Sequence, residues 1–287
     1  MPGRLRIALL VHEREARFDP ARYLLHHLAE FWREDGHDVF YLHGPDRFVP
    51  ADLVFVHVDL SVVPDRYLEL ATRYPVAVNG RIRDVRKATT SRILVRPGDG
   101  WAGPVIVKSN LNYGGAPERV LEPDWVERWA PRLRGLRRRA AATLGMDEIS
   151  GWEDYRIFEH LEDVPRRWFG RREVVVERFV PELENGLYHY WMYQFLGSRA
   201  RCSRVGSPEP VFKSDERTTI ETGDAHPEAL AWRQELEIDY GKIDYVVHEG
   251  TPLLLDVNKT TGASTTDLET LAAERRDQAQ GLYDYLV

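Results

Sequence analysis

The chain has 287 residues and a mass of 33.2 kDa, with 43% hydrophobic and 30% charged residues. That is room for a sizeable core and about two structural units, and it excludes a wholly disordered chain. Acidic residues number 46 against 39 Lys and Arg, a net charge of −7, which excludes nucleic acid as the dominant partner but leaves room for a local basic groove. A single cysteine, Cys202, excludes an intrachain disulfide and points to a reducing, cytoplasmic setting. Met1-Pro2-Gly3-Arg4 opens no apolar leader, and no run approaches the roughly 18 apolar residues of a membrane span.

Arg6 to Val11 (RIALLV) suits a buried parallel strand. Leu24, Leu25, Leu28, Phe31 and Trp32 recur at helical spacing, and Gly36 stands where a left-handed glycine stops a helix. Asp38 to Leu42, Leu53 to Val58 and Val76 to Asn79 read as further strands, with a helix from Pro64 to Tyr74. The alternation predicts a small parallel α/β domain over residues 1–95. The loop after the first strand, His12-Glu13-Arg14-Glu15, lacks a GxGxxG fingerprint and so disfavours a dinucleotide. His12 and His57 fall near strand ends and read chiefly as structural.

The second unit, 96–287, changes character. Gly103 to Lys108 (GPVIVK) is a strand ending in lysine, followed by a polar loop closed by Gly114 and Gly115. Across 117–172 a basic run, Arg132 to Arg139, reads as a solvated helix face, and Val164-Pro165 opens a short helix. Glu173 to Val180 is a β-branched central strand. Leu187 to Phe195 is an aromatic antiparallel strand, turning at Gly197-Ser198 into Arg199 to Val205. Pro227 to Leu236 is helical; Lys242 to His248 and Leu253 to Asn258 form a hairpin around Glu249-Gly250; Thr266 to Leu286 closes the chain as a helix. Cys202 reads as a buried thiol, and the aromatic strand as sheet packing that also permits a homodimer.

Three features carry chemistry. Lys108 at a strand end, facing the Gly114-Gly115 loop, offers a point charge beside backbone N–H groups, which suits phosphate oxygens. Glu177 to Glu184 is a strand leading into a connector, where backbone groups can read a base edge and a carboxylate can accept from ribose. Asp244, then eleven residues, then Asp256-Val257-Asn258 is the strongest element. Asp256 and Asn258 share one strand face and Asp244 lies on the partner strand, a hard-oxygen set of the kind Mg²⁺ prefers.

In that order, GPVIVKSNLNYGG, VVVERFVPELENG and GKIDYVVHEGTPLLLDVNKTTG resemble the ATP-grasp superfamily over about residues 76–265. The resemblance implies an N-terminal parallel α/β domain followed by an ATP-grasp module of two α+β subdomains. It implies ATP and Mg²⁺ as cofactors, with a small-molecule or peptide carboxylate joined to an amine or thiol through an acyl phosphate. It assigns Lys87, Lys108, Gly114 and Gly115 to the phosphates, Glu177 and the Val180 backbone to adenine, Glu184 to ribose, and Asp244, Asp256 and Asn258 to the metal. Lys242 stands where many members carry an arginine that steadies the acyl-transfer intermediate, and Lys213 supplies further mobile charge. Two rivals stand beside this reading: a nucleotide-binding pseudoenzyme or scaffold of the same fold, and a glycosyltransferase-like enzyme suggested by the N-terminal unit alone. Lysine is rare, five against 34 arginines, and at least three of the five (Lys108, Lys242, Lys259) fall beside the inferred site.

Overall fold

The computed structural model describes residues 3–123, 149, 151–213, 216–263 and 270–286. The run Arg132 to Arg139 lies outside them.

The N-terminal third is a parallel sheet in the order β2-β1-β3-β4. Its strands are β1 (Arg6–Val11), β2 (Asp38–His43), β3 (Leu53–Val56) and β4 (Val76–Val78). Ile7 to Leu10 are fully buried because helices cover both faces. On one face, α1 (Leu24–Glu34) sets Leu25, Leu28 and Trp32 against Ile7, Leu9 and Phe55. On the other, α2 (Asp65–Ala71) sets Tyr67 and Leu70 against Ala8, Leu10 and Val54. A four-residue helix follows, α3 (Lys87–Thr90), which the sequence pattern does not announce.

Two antiparallel sheets make up the rest. The smaller runs β6-β5-β7, from β5 (Val105–Ser109), β6 (Arg156–Phe158) and β7 (Val174–Arg178). Between β5 and β6 lies α4 (Ala116–Leu121). The larger runs β11-β10-β9-β12-β13, with β8 (Glu182–Glu184) paired to the start of β9 (Leu187–Leu196). Its other members are β10 (Arg199–Ser207), β11 (Thr219–Gly223), β12 (Tyr240–His248) and β13 (Thr251–Asn258). The hairpin turn between the last two is two residues long, and Glu249 (φ 48°) and Gly250 (φ 78°) both adopt the left-handed conformation that such turns need. α5 (Pro227–Glu235) packs Trp232 onto Tyr245 on the far face of this sheet.

α6 (Thr270–Gln280) returns to the N-terminal unit, where Trp32 Nε1 donates to Ala279 O at 2.9 Å. The core around α1 also takes in Leu196, Tyr240 and Leu282, so core packing crosses the expected division at residue 95. Among the described residues, no helix is long and apolar enough to cross a membrane.

Candidate functional site

The two antiparallel sheets face each other across a cleft of about 510 Å³. Strand alternation decides which side chains enter it. On the small sheet Ile106 pairs with Glu177 and Lys108 with Val175, so Ile106, Lys108 and Glu177 share the cleft face. Val105, Val107 and Val176 turn away into a core built around Trp168. On the large sheet Lys242 pairs with Asn258 and Asp244 with Asp256, and these four face the cleft.

One bulge makes that arrangement possible. The register slips between Asp244 and Tyr245, so that Tyr245 pairs with Leu254 and Leu255 is the extra residue. Without it, the face that carries Asp256 and Asn258 would carry Leu254 as well. With it, Leu254 packs in the core beside Tyr245, and the Leu255 carbonyl accepts from Lys108 Nζ at 3.3 Å.

Three ammonium groups meet three carboxylates here. Lys87 Nζ lies 2.9 Å from Asp256 Oδ1, Lys108 Nζ 2.5 Å from Glu177 Oε2, and Lys242 Nζ 2.7 Å from Asp244 Oδ2. The cations come from α3, β5 and β12. Lys87 and Lys108 are 21 positions apart in sequence, yet Asn110 joins their elements: its carbonyl accepts from Lys87 N at 3.1 Å and its Oδ1 from Ala88 N at 2.8 Å. Burial alone would lower the Lys87 and Lys242 ammonium groups. The Asp256 carboxylate beside the first and the Asp244 carboxylate beside the second outweigh it, and both are held above the ordinary lysine value. Burial raises Asp244, Lys242 opposes the rise and Asp256 adds to it. With Lys213, four cationic side chains face three carboxylates, an excess of one positive charge on a chain of net charge −7, while the Arg178 guanidinium turns away onto the Trp101 ring.

The donor set suits a cation bound together with a polyphosphate. Asp244 Oδ1 and Asp256 Oδ1 are buried and make no hydrogen bond, although Lys87 sits beside the latter. Asn258 Oδ1 already accepts from Thr260 N at 2.8 Å, which leaves it the weaker donor. Among the described residues no cluster of three His, Cys, Asp or Glu could hold a metal alone. Mg²⁺ commonly takes one or two carboxylates and completes its octahedron with water and substrate phosphates, so the unpartnered Asp244 Oδ1, with Asp256 Oδ1 once Lys87 turns to a phosphate, fits it.

Gly114 lines the cleft and Gly115 does not; Gly115 N-caps α4, packed against Leu111. Tyr113, Gly114 and Gly115 are left-handed in succession, at φ 48°, 64° and 75°. At Tyr113 this costs roughly 1–2 kcal/mol, since a Cβ crowds the following carbonyl. Val180 lies on the wall just beyond β7, and among the described residues nothing hydrogen-bonds its N–H. Lys213 lines the cleft, its Nζ 5.0 Å from the centre of the Trp152 ring.

Glu184 is not brought into the cleft. β8 pairs with β9, so Glu182 and Glu184 project together onto Arg204, at 2.7 and 2.6 Å, on the far face of the sheet. His12 and His57 are buried, and burial pushes both imidazoles down, His57 to about 3. Cys202 is a buried thiol beside the Tyr245 hydroxyl. Trp152 and Tyr155 also line the cleft and carry no sequence motif; Arg178 and Tyr113 line it as well and lie inside the quoted motifs, which assign them no role.

Comparison of the sequence with protein-family models and with curated proteins gives no match. The fold is similar to solved ATP-grasp structures over nearly the whole chain. D-alanine–D-alanine ligase from Bacillus anthracis matches 99% of this chain and 96% of its own, at 11% identity and a TM-score of 0.48. A RimK domain ATP-grasp protein from Sphaerobacter thermophilus matches 98% of both chains, at 15% identity and a TM-score of 0.49. The macrocyclase MdnB from Microcystis aeruginosa matches 98% of this chain and 99% of its own, at 11% identity and a TM-score of 0.44. At such values the chemistry of the cleft, not the likeness, has to carry the functional reading.

Proposed function

We propose that the chain is an ATP- and Mg²⁺-dependent ligase that activates a carboxylate as an acyl phosphate and joins it to an amine or thiol. The observation that carries this is the convergence of Lys87, Lys108 and Lys242, from three separate elements, on the carboxylates Asp256, Glu177 and Asp244 in one cleft. A nucleotide polyphosphate brings negative charge that such ammonium groups can take up, and two carboxylate oxygens then remain for a cation.

In this reading Ile106, Leu255 and Val246 give adenine an apolar slot, and the Val180 N–H offers its edge a donor. Glu177 orients Lys108. Lys87 and Lys108 hold phosphate oxygens under the Gly114 loop. Asp244 and Asp256 hold Mg²⁺, with Asn258 supporting them. Mg²⁺ bound there supplies charge neutralisation at the phosphate oxygens. Glu184 takes no part, and the ribose is left to other groups.

A substrate carboxylate oxygen attacks the γ-phosphorus, the bond to the β-bridging oxygen breaks, and ADP leaves. An amine then attacks the acyl carbon, phosphate leaves with the C–O bond electrons, and the amine loses a proton. The chain contributes positioning and charge rather than a covalent nucleophile. Lys242 faces the charge that develops at the acyl centre, and Lys213 adds charge from the Trp152 side. The acceptor belongs to small-molecule or peptide amines, and a cytoplasmic setting belongs to the same proposal. So does the division into units 1–95 and 96–287.

Hydroxylamine tests the reading. With Mg-ATP and a panel of amino acids and short peptides, an acyl phosphate is trapped as a hydroxamate in step with ADP release. Mg-ATP binding without carboxylate-dependent ADP or hydroxamate across the panel favours the scaffold; binding of sugar nucleotides alone favours the glycosyltransferase reading.

A further inference from the structure

Tyr113 stands out among the residues that the roles above leave unused. It is a bulky side chain in the left-handed region, followed by two glycines that adopt the same conformation at no steric cost. The strain does not serve core packing, because the side chain is 54% exposed. Instead the ring lies along the cleft wall. Its hydroxyl comes within 3.4 Å of where a side chain at Gly262 would begin, so Gly262 leaves room for it. Among the described residues that hydroxyl makes no hydrogen bond. Desolvation against the cleft wall raises its pKa, Lys242 opposes the rise, and Asp59, Asp256 and Asp244 add to it. The phenol is therefore an un-ionised donor at neutral pH, in the same cleft as Lys242 and the two proposed metal carboxylates.

We propose that the Tyr113 hydroxyl is a substrate-contacting group that donates a hydrogen bond to an oxygen of the phosphoryl group in transfer. The strained backbone is what aims it there. An un-ionised phenol can donate to an anionic oxygen where another carboxylate would repel it, and it adds direction to the charge of Lys242. The inference rests on the ATP-dependent reading.

The test uses Mg-ADP with and without aluminium fluoride, a mimic of the phosphoryl group in transfer, on the full chain. Tyr113→Phe removes the donor and keeps the ring. Its dissociation constant for Mg-ADP should stay within about twofold, whereas that for Mg-ADP with aluminium fluoride should weaken by about tenfold or more, as expected for a lost hydrogen bond to a charged group. Tyr113→Gly should show the same loss with an unchanged or higher Tm, because glycine relieves the backbone. Equal binding of the fluoride complex by wild type and Tyr113→Phe overturns the contact, as does a wild type that gains nothing from fluoride. A fall in Tm for Tyr113→Gly overturns the claim that the strain serves the side chain. If wild type fails to bind Mg-ADP at all, the ATP-dependent reading fails first and takes this one with it.

Discussion

Lys108→Met removes the contacting charge from a pair whose partner is a buried carboxylate. Glu177 is fully buried, and among the described residues neither of its oxygens makes a geometrically good hydrogen bond and its one ion-pair partner is Lys108 Nζ, 2.5 Å away. Removing one member of such a pair costs about 3–5 kcal/mol, because the remaining charge stays desolvated. For a chain of this size that is on the order of a 10 °C fall in Tm. The double variant Lys108→Met/Glu177→Gln leaves no unpaired charge at that position and should recover most of the loss. Its nucleotide affinity should not recover, since the phosphate ligand is still missing. Thermal unfolding and calorimetric titration with Mg-ATP on the two single variants and the double separate the two roles. A single variant as stable as wild type, or a double no more stable than Lys108→Met, would refute the stability reasoning. Wild-type Mg-ATP affinity in the double would remove Lys108 from the phosphate site.

Three further outcomes are expected. Lys242→Ala should lower carboxylate-dependent ADP release by about 100-fold or more, the usual effect of losing a fixed donor at a developing charge; near-wild-type turnover would remove Lys242 from the mechanism. Glu15 is buried in the N-terminal unit and burial lifts its carboxyl from the ordinary 4.5 to about 7. The folded chain then binds more protons than the unfolded one between those values, so stability falls as pH rises through that window, by on the order of 3 kcal/mol. Glu15→Gln should flatten that slope in denaturant titrations at pH 5 and pH 8, and an unchanged slope counts against it. At Gly241 a Cβ would sit 2.5 Å from the Asn258 carbonyl oxygen, a backbone atom that cannot move alone. Gly241→Ala should cost about 1–3 kcal/mol and weaken Mg-ATP binding by displacing the end of β13; full stability and affinity together would show that the strand yields freely.

Much of the candidate site's geometry was legible because strands alternate. Asp256 and Asn258 are two residues apart on one strand and Asp244 lies directly opposite, as the hairpin pattern implies. Lys108 at the end of a β-branched run was equally plain. Lys87 was legible only by resemblance: nothing local marks α3, and it is the side chain and backbone of Asn110 that bring it to the cleft. Glu184 was misplaced because the connector after β7 forms a short paired strand, and pairing fixes which face its carboxylates take. The bulge at Leu255 was hidden because three successive leucines read alike on either face. The short strand β11 (TIETG) carries too little apolar alternation to declare itself. Of the last predicted helix, residues 266–269 lie outside the described residues; α6 then runs from Thr270 to Gln280, and a tighter turn from Gly281 to Tyr285 follows.

The central claim is that the cleft holds a nucleotide through a cation carried by Asp244 and Asp256. Calorimetric titration with ATP in Mg²⁺ and then in EDTA, on wild type and on Asp244→Asn/Asp256→Asn, tests it directly. Saturable binding in Mg²⁺, at least about tenfold weaker in EDTA and equally weak in the double variant, is the predicted result, a difference of about 1.4 kcal/mol or more. Affinity that ignores both EDTA and the double substitution would contradict it.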